Sequence, residues 1–117
     1  MRSGLRQCVL FAGLLASGIL FAAQGEGPTI LMQQASFVPA TLVVAVGVRI
    51  TWTNMDDIPH SVTALDGRFD SGAILPGKSF QWTPDGPGDV GYHCVFHPSM
   101  TATITVRAPD DDSRRTR

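Results

Sequence analysis

The chain has 117 residues, enough for one domain, and its 44% hydrophobic and 16% charged residues allow it to bury a core, which excludes a wholly disordered chain. Nine Lys and Arg against ten Asp and Glu give a formal net charge of -1, so we expect no general attraction for nucleic acid or for an anionic membrane surface. Two cysteines are too few for the disulfide framework of a small secreted scaffold.

The N-terminal segment, residues 1–25, has the pattern of a secretory signal peptide. Arg2 and Arg6 precede an uncharged apolar run over residues 8–23, which is shorter than the roughly 20 residues of a full membrane span. Small residues at Ala23 and Gly25 predict cleavage after Gly25; an uncleaved N-terminal anchor is the alternative. We therefore expect a periplasmic or secreted protein with no membrane span after cleavage.

Residues 26–108 predict a single all-β domain. Residues 41–53 contain two β-branched stretches separated at Gly47, and in the second stretch apolar and polar residues alternate, as in a strand with one buried face. Clusters of Gly, Pro, Ser and Asp mark the turns, and no ten-residue segment has helical periodicity. Further strands are predicted at 60–64, 79–83, 90–94 and 101–107.

Six to eight short strands joined by turns predict a small antiparallel or mixed β-sandwich. Residues 109–117 combine three Asp with three Arg and have no apolar residue beyond Pro109, which predicts a disordered tail. The predicted core consists of Leu42, Val44, Val48, Ile50, Trp52, Val62, Phe80, Trp82, Tyr92, Ile104 and Val106.

A cluster of soft donor atoms lies in the loop between the last two predicted strands. Cys94, His97 and Met100 have the spacing C-x2-H-x2-M, and His60 lies far upstream, at the start of a separate predicted strand. Thiolate, imidazole and thioether ligands suit copper, and two His nitrogens, one Cys sulfur and a long axial Met sulfur form a blue-copper electron-transfer site. We therefore predict one copper ion bound by His60, Cys94, His97 and Met100.

Each element of this motif also has a plainer interpretation. A histidine after proline, such as His60, is usually a surface residue, and a single C-x2-H is weak evidence because a structural zinc site needs two further Cys or His ligands. His93 is adjacent to Cys94 on a strand, so its side chain points to the opposite face and it is not a predicted ligand. Met32 is predicted to lie in the core and Met55 in a loop. A multicopper enzyme would need more histidines than the three in this chain.

Residues 37–106 resemble the cupredoxin family, and within it the amicyanin-like and plastocyanin-like copper proteins. The resemblance implies a Greek-key β-sandwich with one type I copper ion at one end, bound by the four residues named above, and a role as a soluble periplasmic one-electron carrier. The residues that carry it are Phe37 to Leu42, Val46-Gly47, Trp52 to Asn54, Asp56, Pro59-His60, Val62, Phe69 to Gly72, Pro76-Gly77, Phe80, Tyr92, Cys94, His97, Pro98 and Met100.

The loop from Cys94 to Met100 is short, as in amicyanin, and the sequence departs from the family pattern at two places. Ser61 stands where many relatives carry Asn, and Thr101-Ala102 replaces a frequent Lys-Gly. We expect the Ser61 hydroxyl to supply the hydrogen bond that the Asn makes between the two ligand loops. We also expect the backbone amides of Ser61 and Phe96 to donate to the Cys94 sulfur.

The predicted function is electron transfer and not catalysis. All strong donors are protein side chains, so the metal keeps no open position for a substrate. His97, flanked by Phe96 and Pro98, is expected to present its ring at an apolar surface through which electrons pass. The expected partners are redox proteins whose identity the sequence does not give, and we expect a monomer. Copper storage or delivery through the same ligands is the alternative function.

Overall fold

The structure, a computed structural model, describes residues 27–109. Within this range it consists of strands, turns and loops, with no α-helix, which confirms the all-β prediction. The predicted signal peptide, and the predicted tail apart from Pro109, lie outside the described residues. The strands are β1 (Thr29–Gln33), β2 (Ser36–Val38), β3 (Thr41–Ala45), β4 (Ile50–Asn54), β5 (Thr63–Ala64), β6 (Ser79–Trp82), β7 (Gly88–His93) and β8 (Thr101–Arg107).

The eight strands form two four-stranded sheets. One sheet has the order β2-β1-β4-β6 and the other the order β3-β8-β7-β5. The pairs β1 with β4 and β3 with β8 are parallel, and the other pairs are antiparallel. Of the two sandwich types that the sequence allows, the chain therefore adopts the mixed one.

The core lies between the inward faces of the sheets. Strand β4 alternates between buried Ile50, Trp52 and Asn54 and half-buried threonines, and β8 alternates in the same way around Ile104, as expected for strands that bury one face. Trp52 is fully buried, and its indole Nε1 donates a hydrogen bond to the Tyr92 hydroxyl over 3.2 Å. This bond joins the two sheets, because Trp52 is on β4 and Tyr92 is on β7.

The predicted core is confirmed in most positions. Seven of its residues are buried, and the other four, Leu42, Val48, Phe80 and Trp82, are partly buried and pack against the core. Met32 is buried and Met55 is exposed, as predicted. The sequence analysis did not assign Ile30, Phe37, Phe69 or Ile74 to the core, although all four are buried.

Strands β1 and β2 were not predicted. They form a hairpin whose two central turn residues, Gln34 and Ala35, both have positive φ values, 53° and 52°. Two-residue hairpin turns of this kind favour Asn-Gly or Asp-Gly, since most other residues are strained at positive φ. Gln-Ala carries no such signal, so the hairpin could not be recognised from its turn.

The strand order brings two loops to one end of the sandwich. The segment from β4 to β5 crosses from the first sheet to the second and carries His60, and the β7–β8 loop carries Cys94, His97 and Met100. Within residues 27–109, no helix is long and apolar enough to cross a membrane.

Candidate metal centre

The loop that carries His60 is held in place by the buried side chain of Asn54, the last residue of β4. Its Nδ2 atom donates to the carbonyl oxygens of Ile58, over 2.8 Å, and of Ile74, over 2.9 Å. Its Oδ1 atom accepts the Asp56 amide over 2.9 Å. The backbone of His60 also pairs with Ile74 in both directions, over 3.1 and 2.7 Å. These bonds fix the position of the imidazole, which is fully buried.

The β7–β8 loop is closed by its own backbone. The Cys94 amide donates to the Met100 carbonyl over 3.0 Å, and the Met100 amide donates to the His97 carbonyl over 2.8 Å. The two bonds bend residues 94–100 into a compact turn, in which Cys94 and Met100 are buried and His97 is half-buried. Cys94 is a free cysteine.

Ser61 joins the two ligand loops. Its amide donates to Cys94 Sγ over 3.3 Å, and its hydroxyl accepts the Val95 amide over 2.9 Å. The hydroxyl also contacts Thr63 Oγ1 at 3.0 Å. The shorter serine side chain therefore makes the bridge expected at this position, and the expected donation from the Ser61 amide to the sulfur is confirmed. The described part of the chain contains no hydrogen bond from the Phe96 amide to this sulfur.

Three donor atoms converge at this point. Cys94 Sγ lies 3.8 Å from His60 Nδ1 and 3.7 Å from His97 Nδ1, and all three donor atoms lie within 4.8 Å of one another. An ion bound about 2.0 to 2.1 Å from a nitrogen and about 2.3 Å from a sulfur, at an angle between tetrahedral and trigonal, would place these atoms roughly 3.5 to 3.8 Å apart. The separations therefore fit a single metal ion between the thiolate and the two imidazoles.

Three of the four predicted ligand residues thus come together around one point. Met100, the fourth, is buried at the end of the same loop. His93 is half-buried on β7 and is not a member of the converging group, in agreement with its alternation with Cys94. The soft sulfur and borderline imidazole donors favour copper or zinc over hard cations such as magnesium or calcium.

The imidazole of His97 lies at the surface, in apolar surroundings. An open depression around it is lined by Ile58, Pro59, Ala73 and Phe96. Phe96 and Ile58 are 51% and 42% exposed, so a part of this apolar surface is in contact with solvent. The rings of His60 and His97 have centroids 5.1 Å apart. The converging donor atoms are therefore one imidazole away from an apolar surface.

Asp56 belongs to the site although the sequence analysis gave it no role. Its Oδ2 atom lies 2.7 Å from His60 Nε2, the ring nitrogen that faces away from the sulfur. The pKa of Asp56 is lowered from its ordinary value of 3.8, mainly by the hydrogen bond from the Ala35 amide. Partial burial raises the pKa and so opposes this shift, whereas His60 and the Gln34 amide lower it further. The only sequence signal for Asp56 is that it lies four residues before His60 in a loop. Such a spacing is common by chance, so it does not identify the contact.

The comparison with known protein families identifies the fold. The family described as a cupredoxin-like domain matches residues 7–106. The chain belongs to this family. A plastocyanin, described as chloroplastic, from Tetradesmus obliquus is 26% identical to the cupredoxin-like chain over a match that covers 81% of this chain and 76% of the relative.

Two solved structures of copper proteins share the fold. An amicyanin structure with Cu(I) superposes with a TM-score of 0.66 at 22% identity, covering 74% of the cupredoxin-like chain and 89% of the amicyanin chain. A copper-containing nitrite reductase from Thermus scotoductus has a TM-score of 0.69 at 25% identity, but the match covers only 23% of that chain. The predicted resemblance and the predicted β-sandwich are therefore both confirmed.

Proposed function

We propose that this cupredoxin-like protein is a one-electron carrier that binds one copper ion through His60, Cys94, His97 and Met100. Bound copper would supply a Cu(I)/Cu(II) couple. The observation that carries the proposal is the convergence of Cys94 Sγ with the Nδ1 atoms of His60 and His97 at separations that suit one ion. Met100 is the fourth ligand in this proposal because it is buried at the end of the same loop, three residues after His97.

The side chains of the site favour electron transfer over catalysis. Cys94 and His60 are fully buried and tied to fixed backbone, so little movement of the ligands is needed when charge is gained or lost. The relatives support this assignment, since the matches cover 76% of the named plastocyanin and 89% of the named amicyanin, whereas the match to the nitrite reductase covers only 23% of that enzyme. We propose that the chain is not an enzyme.

The apolar surface around His97 is the proposed route for electrons. A partner protein that docks there would bring its own redox group close to the imidazole without crossing the protein interior. We propose that donor and acceptor are redox proteins, that the carrier acts as a monomer, and that it is periplasmic or secreted, as the signal-peptide pattern of residues 1–25 predicts.

Electron self-exchange of the copper-loaded protein, measured by NMR line broadening in mixtures of the two oxidation states, tests the carrier function. We expect fast exchange that Phe96→Asp slows at least tenfold, because the charge disrupts the apolar contact between two His97 surfaces. Val43→Asp is the control, since Val43 is 48% exposed on β3 and does not line the depression around His97. Its exchange rate should stay near that of the wild type.

Slow exchange in the wild type, together with ready transfer of Cu(I) to a chelating acceptor, would contradict the carrier function and favour copper storage or delivery. Equal slowing by Phe96→Asp and Val43→Asp would show that net charge, and not the surface around His97, limits the rate.

A further inference from the structure

The carboxylate of Asp56 contacts the one buried imidazole of the converging group. Its side chain is 16% exposed, and the His60 side chain is fully buried. The two are joined by a contact of 2.7 Å between Asp56 Oδ2 and His60 Nε2. An oxygen and a ring nitrogen at this separation share a proton, so the carboxylate determines which nitrogen of the ring carries it.

The carboxylate is itself fixed by the β1–β2 turn. Asp56 Oδ1 accepts the Gln34 amide over 2.7 Å, and Oδ2 accepts the Ala35 amide over 2.9 Å. The Asp56 amide donates to the buried side chain of Asn54. Asp56 is therefore held on its backbone side and at both carboxylate oxygens, and its orientation toward His60 does not depend on a bound metal.

The two nitrogens of the His60 ring thus have different neighbours. Nε2 faces a carboxylate, which accepts a hydrogen bond, and Nδ1 faces the Cys94 sulfur at 3.8 Å. A neutral imidazole carries one proton, and a proton on Nε2 leaves the lone pair of Nδ1 available to a metal ion. A carboxylate on the second nitrogen of a metal-binding histidine also raises the basicity of the ring.

We propose that Asp56 is a positioning residue of the metal centre, which keeps the proton of His60 on Nε2 and directs a bare, electron-rich Nδ1 toward the metal. This inference rests on the proposed metal site and goes beyond it, because Asp56 is not a ligand. The negative charge of Asp56 favours the more highly charged oxidation state, so the residue also lowers the reduction potential.

The first test needs no substitution. In the metal-free wild type, at a pH at which the spectrum shows a single proton on the His60 ring, the ring nitrogens are assigned by long-range 1H-15N NMR. We expect the proton on Nε2 and none on Nδ1. A single proton that resides on Nδ1 would overturn the proposal.

The second test compares Asp56→Asn with Asp57→Asn. The two substitutions remove the same charge from neighbouring residues, but the exposed Asp57 side chain makes no hydrogen bond or ion pair with His60. We expect Asp56→Asn to weaken the binding of Zn(II), used as a redox-inactive probe, by about 10- to 100-fold. In the copper-loaded protein we expect Cu(II) to be weakened relative to Cu(I) by about tenfold, which raises the potential by about 59 mV.

Equal effects of the two substitutions on Zn(II) affinity and on potential would overturn the proposal. Should Asp56→Asn fail to fold, the NMR assignment of the wild type still decides the question. Failure of the proposed function is seen separately, as a wild-type protein that binds no copper at this site; a copper-binding wild type with Asp56→Asn equal to Asp57→Asn rejects the role of Asp56 alone.

Discussion

Single residues at the site act on both ligand loops at once. Ser61 donates its amide to the Cys94 sulfur and accepts the Val95 amide with its hydroxyl, so one buried residue sets the distance between the loop of His60 and the loop of Cys94. A buried amide without an acceptor costs about 1 to 3 kcal/mol, and the Ser61 hydroxyl supplies an acceptor for the part-buried amide of Val95. The bridge was expected from the resemblance to the cupredoxin family, in which many relatives carry Asn at this position.

Tyr92 contributes to the core with a group that titrates at high pH. Its ring packs against Phe37 and Trp52, with centroids 4.7 and 5.6 Å away. Burial raises the pKa of Tyr92 to about 12 from its ordinary value of 10.0, and the hydrogen bond from Trp52 opposes this shift in part. The folded state therefore holds the phenol proton at pH values where the unfolded chain releases it.

This shift predicts a loss of stability at alkaline pH. Because the folded pKa is the higher one, the stabilisation is complete below about pH 10 and is lost as the pH rises toward 12. Between about pH 8 and pH 11 we expect the free energy of unfolding of the metal-free wild type, measured in urea, to fall by about 1 kcal/mol more than that of Tyr92→Phe. The other alkaline groups titrate in both proteins and cancel in the comparison. Equal losses in the two proteins would contradict the buried-phenol account.

At the scale of elements, the strands with clear alternation were predictable and the first two were not. The alternation in residues 48–53 predicts β4, and the pattern in 101–107 predicts β8 with its observed bounds. Hairpin β1–β2 has a Gln-Ala turn at positive φ, and the acceptor for both turn amides is the carboxylate of Asp56, which is remote from the turn in the chain. The local sequence pattern of the turn therefore could not predict the hairpin, because the partner of its amides lies elsewhere in the chain.

The segment between β4 and β5 depends on one side chain for its shape. Asn54 makes three hydrogen bonds to backbone groups of this segment and its neighbour, so Asn54→Ala leaves the carbonyls of Ile58 and Ile74 and the amide of Asp56 without these partners. We expect the free energy of unfolding in urea to fall by about 2 to 4 kcal/mol. We also expect weaker Zn(II) binding, because His60 loses its fixed position.

Gln81→Ala is the control for Asn54→Ala, since it removes an amide side chain from the neighbouring strand β6. Gln81 is exposed, and its Nε2 makes one hydrogen bond, 3.3 Å long, to Thr51 Oγ1. Its loss should cost less than about 1 kcal/mol. Similar losses for the two variants would show that Asn54 does not organise the loop.

At the scale of the whole molecule, the sandwich assembles the site from both sheets. His60 lies on the crossing from the first sheet to the second, and the other three residues lie between two strands of the second sheet. The spacing C-x2-H-x2-M makes the local part of the site predictable from sequence, since all three residues lie in one loop. That His60 lies beside them could be predicted only from the resemblance to a known fold, because residues so far apart in the chain have no fixed relative position that the sequence alone reveals.

The position of the imidazoles relative to the sulfur is set by hydrogen bonds within the protein. These bonds come from Asn54, from Ser61 and from the turn of residues 94–100. Only the 3.3 Å bond to Cys94 Sγ involves a proposed ligand atom. The chain therefore presents a prepared set of donors, which is the condition for small rearrangement on electron transfer. Asp56 could not be assigned this role from sequence, since its contact with His60 exists only in the folded loop.

The central claim is that Cys94, with two histidines, binds one copper ion as a thiolate. The most direct measurement is the visible absorption and EPR spectrum of the protein loaded with one equivalent of Cu(II), repeated for Cys94→Ser. We expect an intense blue band from sulfur-to-copper charge transfer and a narrow copper hyperfine splitting in the wild type, and loss of the band in Cys94→Ser. A wild-type protein without the band, or a Cys94→Ser protein that keeps it, would contradict the proposed metal centre.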